Sequence, residues 1–260
     1  RVMARMGEMM GEEQKIVQGW LERHRDMRDG LDHEFWNEEF SYYTNGPRGS
    51  EAYEKGYWEN NGIALALWPR FDVADDRRRN AVFDHCGHAF NQYGFTQLPH
   101  WNPADYADPM FARKIWMHTE VGEAVALAAS GRMHDLETLL FSCVRGAAIN
   151  KDFVETICFD TGIASRFPGQ SWHAMGFVAM IYFAVLGLKY DKDGLRFSDG
   201  LVPPAFADMR IERLDYRGAT FKIAVRDHGR IDQVKLDNEQ VEVIPPGLNG
   251  QHRIELVGDM

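Results

Sequence analysis

The chain has 260 residues, 45% of them hydrophobic and 12% aromatic, and a formal net charge of −10. That apolar content fills one large core or two modest ones and excludes a disordered chain. The acidic balance argues against a phosphate-binding face, and so against a nucleic-acid partner; no run of 18 apolar residues occurs, so no membrane span is expected.

The chain begins at Arg1, already inside a helix-like run, and reads as a piece of a longer polypeptide. Ile16, Trp20, Met27, Leu31 and Phe35 recur in helical steps, a stripe expected to pack one face of a helix inward. Ile63 to Trp68 is a short apolar stretch that stops at Pro69, which cannot continue a helix interior. Asp75 is placed to cap a helix running to about Asn91, with Gly94 beyond its end. Residues 113 to 129 and 135 to 149 read as a helix pair joined at Gly131, with Asp135 capping the second member. The last strong helix starts near Ser171 and runs through Met175, Val178, Tyr182 and Leu186 to Gly187.

Near residue 190 the apolar period changes to two. Phe221, Ile223 and Val225 alternate with Lys222 and Ala224; Val241 and Val243 flank Glu242, and Ile254 and Leu256 flank Glu255. Turn signals separate them at Asp227-His228-Gly229, Asp237-Asn238 and Leu248-Asn249-Gly250. Such alternation predicts short, half-buried antiparallel strands. The three cysteines, Cys86, Cys143 and Cys158, sit in apolar surroundings and read as buried free thiols rather than a disulfide framework.

Chemistry gathers in the loops. Trp58-Glu59-Asn60-Asn61-Gly62 precedes one helix, and His100-Trp101-Asn102-Pro103 occupies another loop. Trp116-Met117-His118-Thr119-Glu120 opens a third helix, and Gln170-Ser171-Trp172-His173 the last. A sugar presents apolar C–H faces and a rim of hydroxyls, so its site needs flat aromatics for stacking and amides, imidazoles and carboxylates for hydrogen bonds. Any one Trp or His at a helix start is ordinary packing or capping; their recurrence suggests a lined rim.

Other constellations fall short. Asp84-His85-Cys86-Gly87-His88 holds metal-ligand types without a second cluster, and Asp191-Lys192-Asp193-Gly194 lacks the bidentate Glu of a calcium loop. Gly169-Gln170-Ser171-Trp172-His173 has His where a nucleophile elbow needs its second Gly. No phosphate loop or dinucleotide fingerprint occurs, so no metal or cofactor is expected.

Phe153-Val154-Glu155-Thr156, then Asp160-Thr161-Gly162, then Pro168 to Gly176 resembles the closing segment of the six-hairpin glycosidases, a group that includes α-L-rhamnosidases, trehalases and processing α-glucosidases. Phe35-Trp36-Asn37-Glu38-Glu39 with Tyr42-Tyr43 is similar to their W-N-E hairpin, and Gly131-Arg132-Met133-His134-Asp135-Leu136 to a helix turn of the same group. Gly194 to Phe197, Val202-Pro203-Pro204 and Tyr216 to Thr220 resemble the β cap found in this superfamily, disaccharide phosphorylases included. The resemblance spans nearly the whole chain as short motifs in order, not as one long signature. It implies a mainly α fold: residues 1–190 as the last six or seven helices of an (α/α)6 toroid, and residues 191–260 as a small antiparallel β cap.

It also implies a glycosidase, an inverting one, with a carbohydrate substrate and the remainder of its own polypeptide as partners. Glu155 matches the general base, which would orient and deprotonate the attacking water. Glu120 and Glu59 are second candidates, as acid or as hydroxyl ligands. Trp58, Trp101, Trp116 and Trp172 are the expected stacking platforms, with Asn60, His118 and His173 as hydroxyl ligands. Two departures stand out. The general acid of such enzymes lies in an earlier hairpin, which this chain is expected to start after, and Asn37 stands where the phosphorylases' motif carries its acidic Asp. The alternatives are a disaccharide phosphorylase and a non-catalytic carbohydrate-binding fragment.

Overall fold

A computed structural model describes residues 2–96, 113–165, 168–190 and 193–259. The chain divides into two compact units, Arg1–His85 and Cys86–Met260.

In the first unit, helices α1 (Val2–Met10) and α2 (Gln14–Phe35) form a hairpin. Gly7 makes it possible, because a Cβ there would press on the Trp20 ring and on Val17. The expected inward stripe of α2 is packed only in part, Trp20 and Phe35 being half-buried. Met27 is 70% exposed, Ile16 and Leu31 are exposed as well, and Val17 is the one buried residue of the helix. The core of this unit is aromatic instead. Strands β1 (Trp36–Asn37) and β2 (Tyr42–Tyr43) pair, and Trp36, Tyr42, Tyr43, Tyr53 and Trp58 are all buried. Their hydroxyls find partners as burial requires: Tyr42 donates to the Gly56 carbonyl and Tyr43 to Asp32, both at 2.7 Å. Helix α3 (Glu51–Glu54) is capped by Ser50, whose hydroxyl accepts from the Tyr53 amide. Helix α4 (Asn60–Leu67) ends before Pro69 as its sequence predicts. Helix α5 (Asp76–His85) starts after Asp75, whose carboxylate accepts from the Arg78 amide, but it stops six residues short of Asn91.

The second unit opens with the hairpin β3 (Phe90–Asn91) and β4 (Gly94–Phe95). Residues 113 to 120, expected to begin a helix, do not. Arg113 is left-handed at φ 51°, Lys114–Ile115 (β5) pairs with Ile157–Cys158 (β6), and Thr119 turns back to donate to the Trp116 carbonyl. Helix α6 (Val121–Ala129) follows, then α7 (Met133–Asn150) and α8 (Ser171–Met180), which passes into a π turn at Ile181–Val185. Asp135 does not cap α7. It lies one turn in and accepts from the Arg132 guanidinium at 2.9 Å, with Arg132 at the cap position.

The core of this unit is made by Ala124, Ala126, Leu127, Leu136, Leu139, Leu140, Cys143, Met180 and Ala184, none of them exposed. Small residues on α6 let α7 and α8 approach closely, which is why this helix is buried nearly all round. Cys143 and Cys86 are buried thiols; burial pushes Cys86 up to about 12 and Cys143 upward as well, so both are inert.

Strands begin where the period changes: β7 (Leu188–Tyr190), β8 (Leu195–Phe197), β9 (Leu201–Val202), β10 (Arg210–Tyr216), β11 (Ala219–Arg226), β12 (Gly229–Leu236), β13 (Glu239–Gln240) and β14 (Gly250–Gly258). The main sheet runs β10-β11-β14-β12-β13, with β9 also on β12. Two-residue turns at Arg217-Gly218 and Asp237-Asn238, all four residues at positive φ, match the right-handed twist of hairpins. The sheet is not wholly antiparallel as expected, since β14 inserts between β11 and β12 and pairs parallel with β11 from Ala219↔Gly250 to Arg226↔Val257. Gly258 permits the insertion, because a Cβ there would collide with the His228 carbonyl. Arg230 on β12 donates to the Ala129 carbonyl at 3.0 Å, joining the sheet to the end of α6. Among the described residues no helix is long and apolar enough to cross a membrane.

Candidate functional site

The β5–β6 ladder builds the site. Ile115 faces Ile157 in antiparallel register, so the chain beyond Ile115 runs alongside the chain before Ile157. That brings Trp116–His118 beside Glu155–Thr156. Helix α8 supplies the third side, and Gly176 lets the His118 backbone lie against it, since a Cβ there would sit 2.9 Å from the His118 Cα.

Glu155 is half-buried in the loop between α7 and β6. Its neighbours are fixed. The Val154 carbonyl accepts from the His173 ring, the Phe153 carbonyl from the Gln170 amide at 2.9 Å, and the Thr156 carbonyl from the Ser165 amide at 3.0 Å. Val154 and Thr156 are themselves buried. The Glu155 main chain is therefore pinned on both sides while the residue stays half-buried, which fixes where its carboxylate is presented.

Four near-parallel rings gather beside it. His118 lies 5.1 Å from Trp172 at an interplanar angle of 7°, 5.1 Å from His173 at 17°, and 5.8 Å from Trp116 at 24°. Trp172 is 49% exposed, an indole face open to a ligand. His118 Nδ1 and His173 Nε2 are 3.0 Å apart. Burial lowers the pKa of both imidazoles, to about 4 for His173, whose bond to the Val154 carbonyl pulls the other way and whose neighbour His118 lowers it further. Glu155 acts on His118 in the raising direction, so its charge reaches that ring.

Glu120 is close in sequence and different in surroundings. It is fully buried at the start of α6, where Oε1 accepts from the Phe95 amide at 2.5 Å and Oε2 lies 4.0 Å from Cys143 Sγ. Burial first and the Glu123 carboxylate second raise its pKa well above the ordinary value, the Phe95 amide opposing. Gly94 accommodates the carboxylate, as a Cβ there, at φ 119°, would collide with Oε1. Glu120 thus binds the β3–β4 hairpin to α6 inside the protein. His173 is likewise buried, with both ring nitrogens in use.

The first unit holds Trp58, Glu59 and Asn60. Trp58 packs on Tyr42 at 5.2 Å in the aromatic core, and Glu59 is half-buried at the start of α4. The Asn60 amide is buried with neither its nitrogen nor its oxygen bonded among the described residues. Trp101 lies outside the described residues. Two clefts of this unit are lined by charged groups, one by Arg25, Arg28 and Asp72 and the other by Asp32, Arg48 and Arg78, and neither includes Trp58, Glu59 or Asn60. Among the described residues no three His, Cys, Asp or Glu side chains are grouped to hold a metal ion.

Sequence reasoning missed Val154, whose role is played by a carbonyl that every residue carries, and Glu123, whose burial has no local sign. The signal for Gly176 was present as a glycine inside a helix, which marks close backbone approach.

No protein-family model matches the sequence, and no curated protein does. Among solved structures the chain is similar to the mannosylglycerate hydrolase of glycoside hydrolase family 63 from Thermus thermophilus, in complex with glucose: TM-score 0.52 and 14% identity over 68% of this chain and 43% of that one. An uncharacterized conserved protein from Thermus thermophilus aligns with TM-score 0.49 at 12% identity, over 69% and 44% of the two chains. The same hydrolase with Tris and D-glycerate gives 0.47 at 12%, over 70% and 43%. The chain therefore spans less than half the length of the hydrolase it matches, and at 14% identity what the two share over that span is a fold.

Proposed function

We propose that this chain carries the general-base side of an inverting glycoside hydrolase. The observation that carries this reading is the convergence of a reachable carboxylate, Glu155, with the stacked Trp172, His118 and Trp116 from three separate segments. A sugar lies with its apolar face on Trp172. Glu155 takes a proton from a water on one face of the ring as that water attacks the anomeric carbon. A second carboxyl group, roughly 6.5–9.5 Å away in such enzymes, protonates the leaving oxygen. In this reading it belongs to the part of the polypeptide beyond these 260 residues, residues 1–190 form the closing half of an (α/α)6 toroid, and residues 191–260 its β cap. The fold shared with a family 63 hydrolase supports the assignment.

The test is a screen of the complete polypeptide against disaccharides and aryl glycosides, with and without phosphate, reading the anomer of the first product by NMR. Phosphate-independent release with inverted configuration is expected. Turnover only with phosphate would assign a phosphorylase, and sugar binding without turnover a binding module; either result overturns the hydrolase reading.

A further inference from the structure

The hydrogen-bond chain behind Glu155 has a direction. It starts at the Val154 backbone carbonyl, which can only accept. The facing nitrogen of His173, Nδ1, must therefore carry a proton. His173 is fully buried, where a neutral ring is strongly favoured over a cation, so its Nε2 is a bare lone pair. That lone pair faces His118 Nδ1 at 3.0 Å, which in turn must donate. One proton per ring is then used, and His118 Nε2 is left as an acceptor. No described residue hydrogen-bonds to it. The tautomer of an imidazole is set by the bond its other nitrogen makes, and here two rings pass that choice along from a peptide carbonyl.

We propose that the Val154 carbonyl, His173 and His118 form a one-way relay that locks His118 as a hydrogen-bond acceptor beside Glu155, making His118 a specificity-determining residue and His173 a positioning residue. Two acceptors then lie on the same side of the β5–β6 ladder, the Glu155 carboxylate, whose charge reaches the His118 ring, and the His118 Nε2 lone pair. Whatever completes the site must bring O–H groups: a neutral, hydroxyl-rich ligand or a water. An anionic group has only lone pairs to offer and is turned away. For the ligand class this rests on the carbohydrate reading; for the relay it rests on geometry alone. The two imidazoles lie nearly coplanar at 17°, as an in-plane N–H···N bond requires, and the Trp172 ring, near-parallel to His118 at 7°, keeps that ring from rotating out of register.

The experiment is long-range 1H–15N correlation NMR on the 15N-histidine-labelled chain at pH 7, with His118 and His173 assigned by single substitution. Both rings are expected as Nδ1–H tautomers, each with a pyridine-type Nε2. An Nε2–H tautomer at His118, or an imidazolium at His173, overturns the proposal. In a His173→Phe variant, which keeps an aromatic ring and removes the acceptor, His118 is expected to shift toward the Nε2–H tautomer usual in water. Persistence of Nδ1–H there, in a variant whose amide spectrum is otherwise native, also overturns it. If the variant does not fold, the wild-type tautomers decide alone. Loss of the hydrolase reading would leave these spectra unchanged, so the two fail separately.

Discussion

Glu120 and Glu155 belong to segments that one short ladder brings alongside each other, yet they occupy opposite chemical environments. Glu155 is reachable and flanked by pinned backbone. Glu120 is sealed under Gly94, holds the Phe95 amide, and is pushed toward its neutral form. Both follow a Trp- or Phe-containing run and have a β-branched apolar residue within two positions after them, so local sequence treats them alike. What separates them is which remote residues arrive on top: a glycine hairpin for one, the free end of a helix for the other. A carboxylate's role here is set by access and not by its neighbours in the chain.

Acid titration sharpens the contrast most. His173 is held to about 4 in the folded chain against 6.5 when free, so between those values the unfolded state binds the extra proton. Its contribution is complete above pH 6.5 and is lost as pH falls toward 4, a decline of about 3 kcal/mol at most. Glu120 acts in the other sense, because its raised pKa makes the folded state bind the extra proton above 4.5, so its contribution is lost as pH rises. Urea unfolding from pH 4 to 8 should show the first decline, and His173→Phe should flatten it. A His173→Phe curve as steep as the parent's would remove His173 from the account.

Glu120→Ala strands the buried Phe95 amide and should cost about 1–3 kcal/mol by the same assay. A neutral outcome would mean that the hairpin is held otherwise. Trp172→Ala is the mildest change. Half its surface is already exposed, so stability should fall by only about 1 kcal/mol while affinity for the sugar identified in the glycoside screen drops by about tenfold, measured by calorimetry. Unchanged affinity would take the platform away from Trp172.

Much of the fold was legible where local chemistry decides it. Pro69 ended α4, Asp75 began α5, and Asp237-Asn238 made the tight turn their types favour. What was not legible depends on partners far along the chain. Residues 113 to 115 carry helix-compatible side chains but are claimed by β6, more than forty residues away. The stripe on α2 has the right period, yet burial needs a second surface, and period alone does not supply one. The parallel pairing of β11 with β14 is likewise invisible to alternation, which reports faces and not neighbours. At the candidate site, His118 and Trp172 were nameable from their types and Glu155 from the family resemblance; the relay through the Val154 carbonyl was not, since backbone atoms leave no mark in a sequence.

The most direct test is to measure turnover of Glu155→Gln and Glu120→Gln side by side in the complete polypeptide, on a glycoside that the parent cleaves. Both amides keep size and an acceptor oxygen. Loss of the general base should lower kcat on the order of 10²–10⁴-fold in Glu155→Gln, while Glu120→Gln stays within a few-fold of the parent. A Glu155→Gln enzyme with parental kcat, or a larger loss in Glu120→Gln, would contradict the assignment of the base to Glu155.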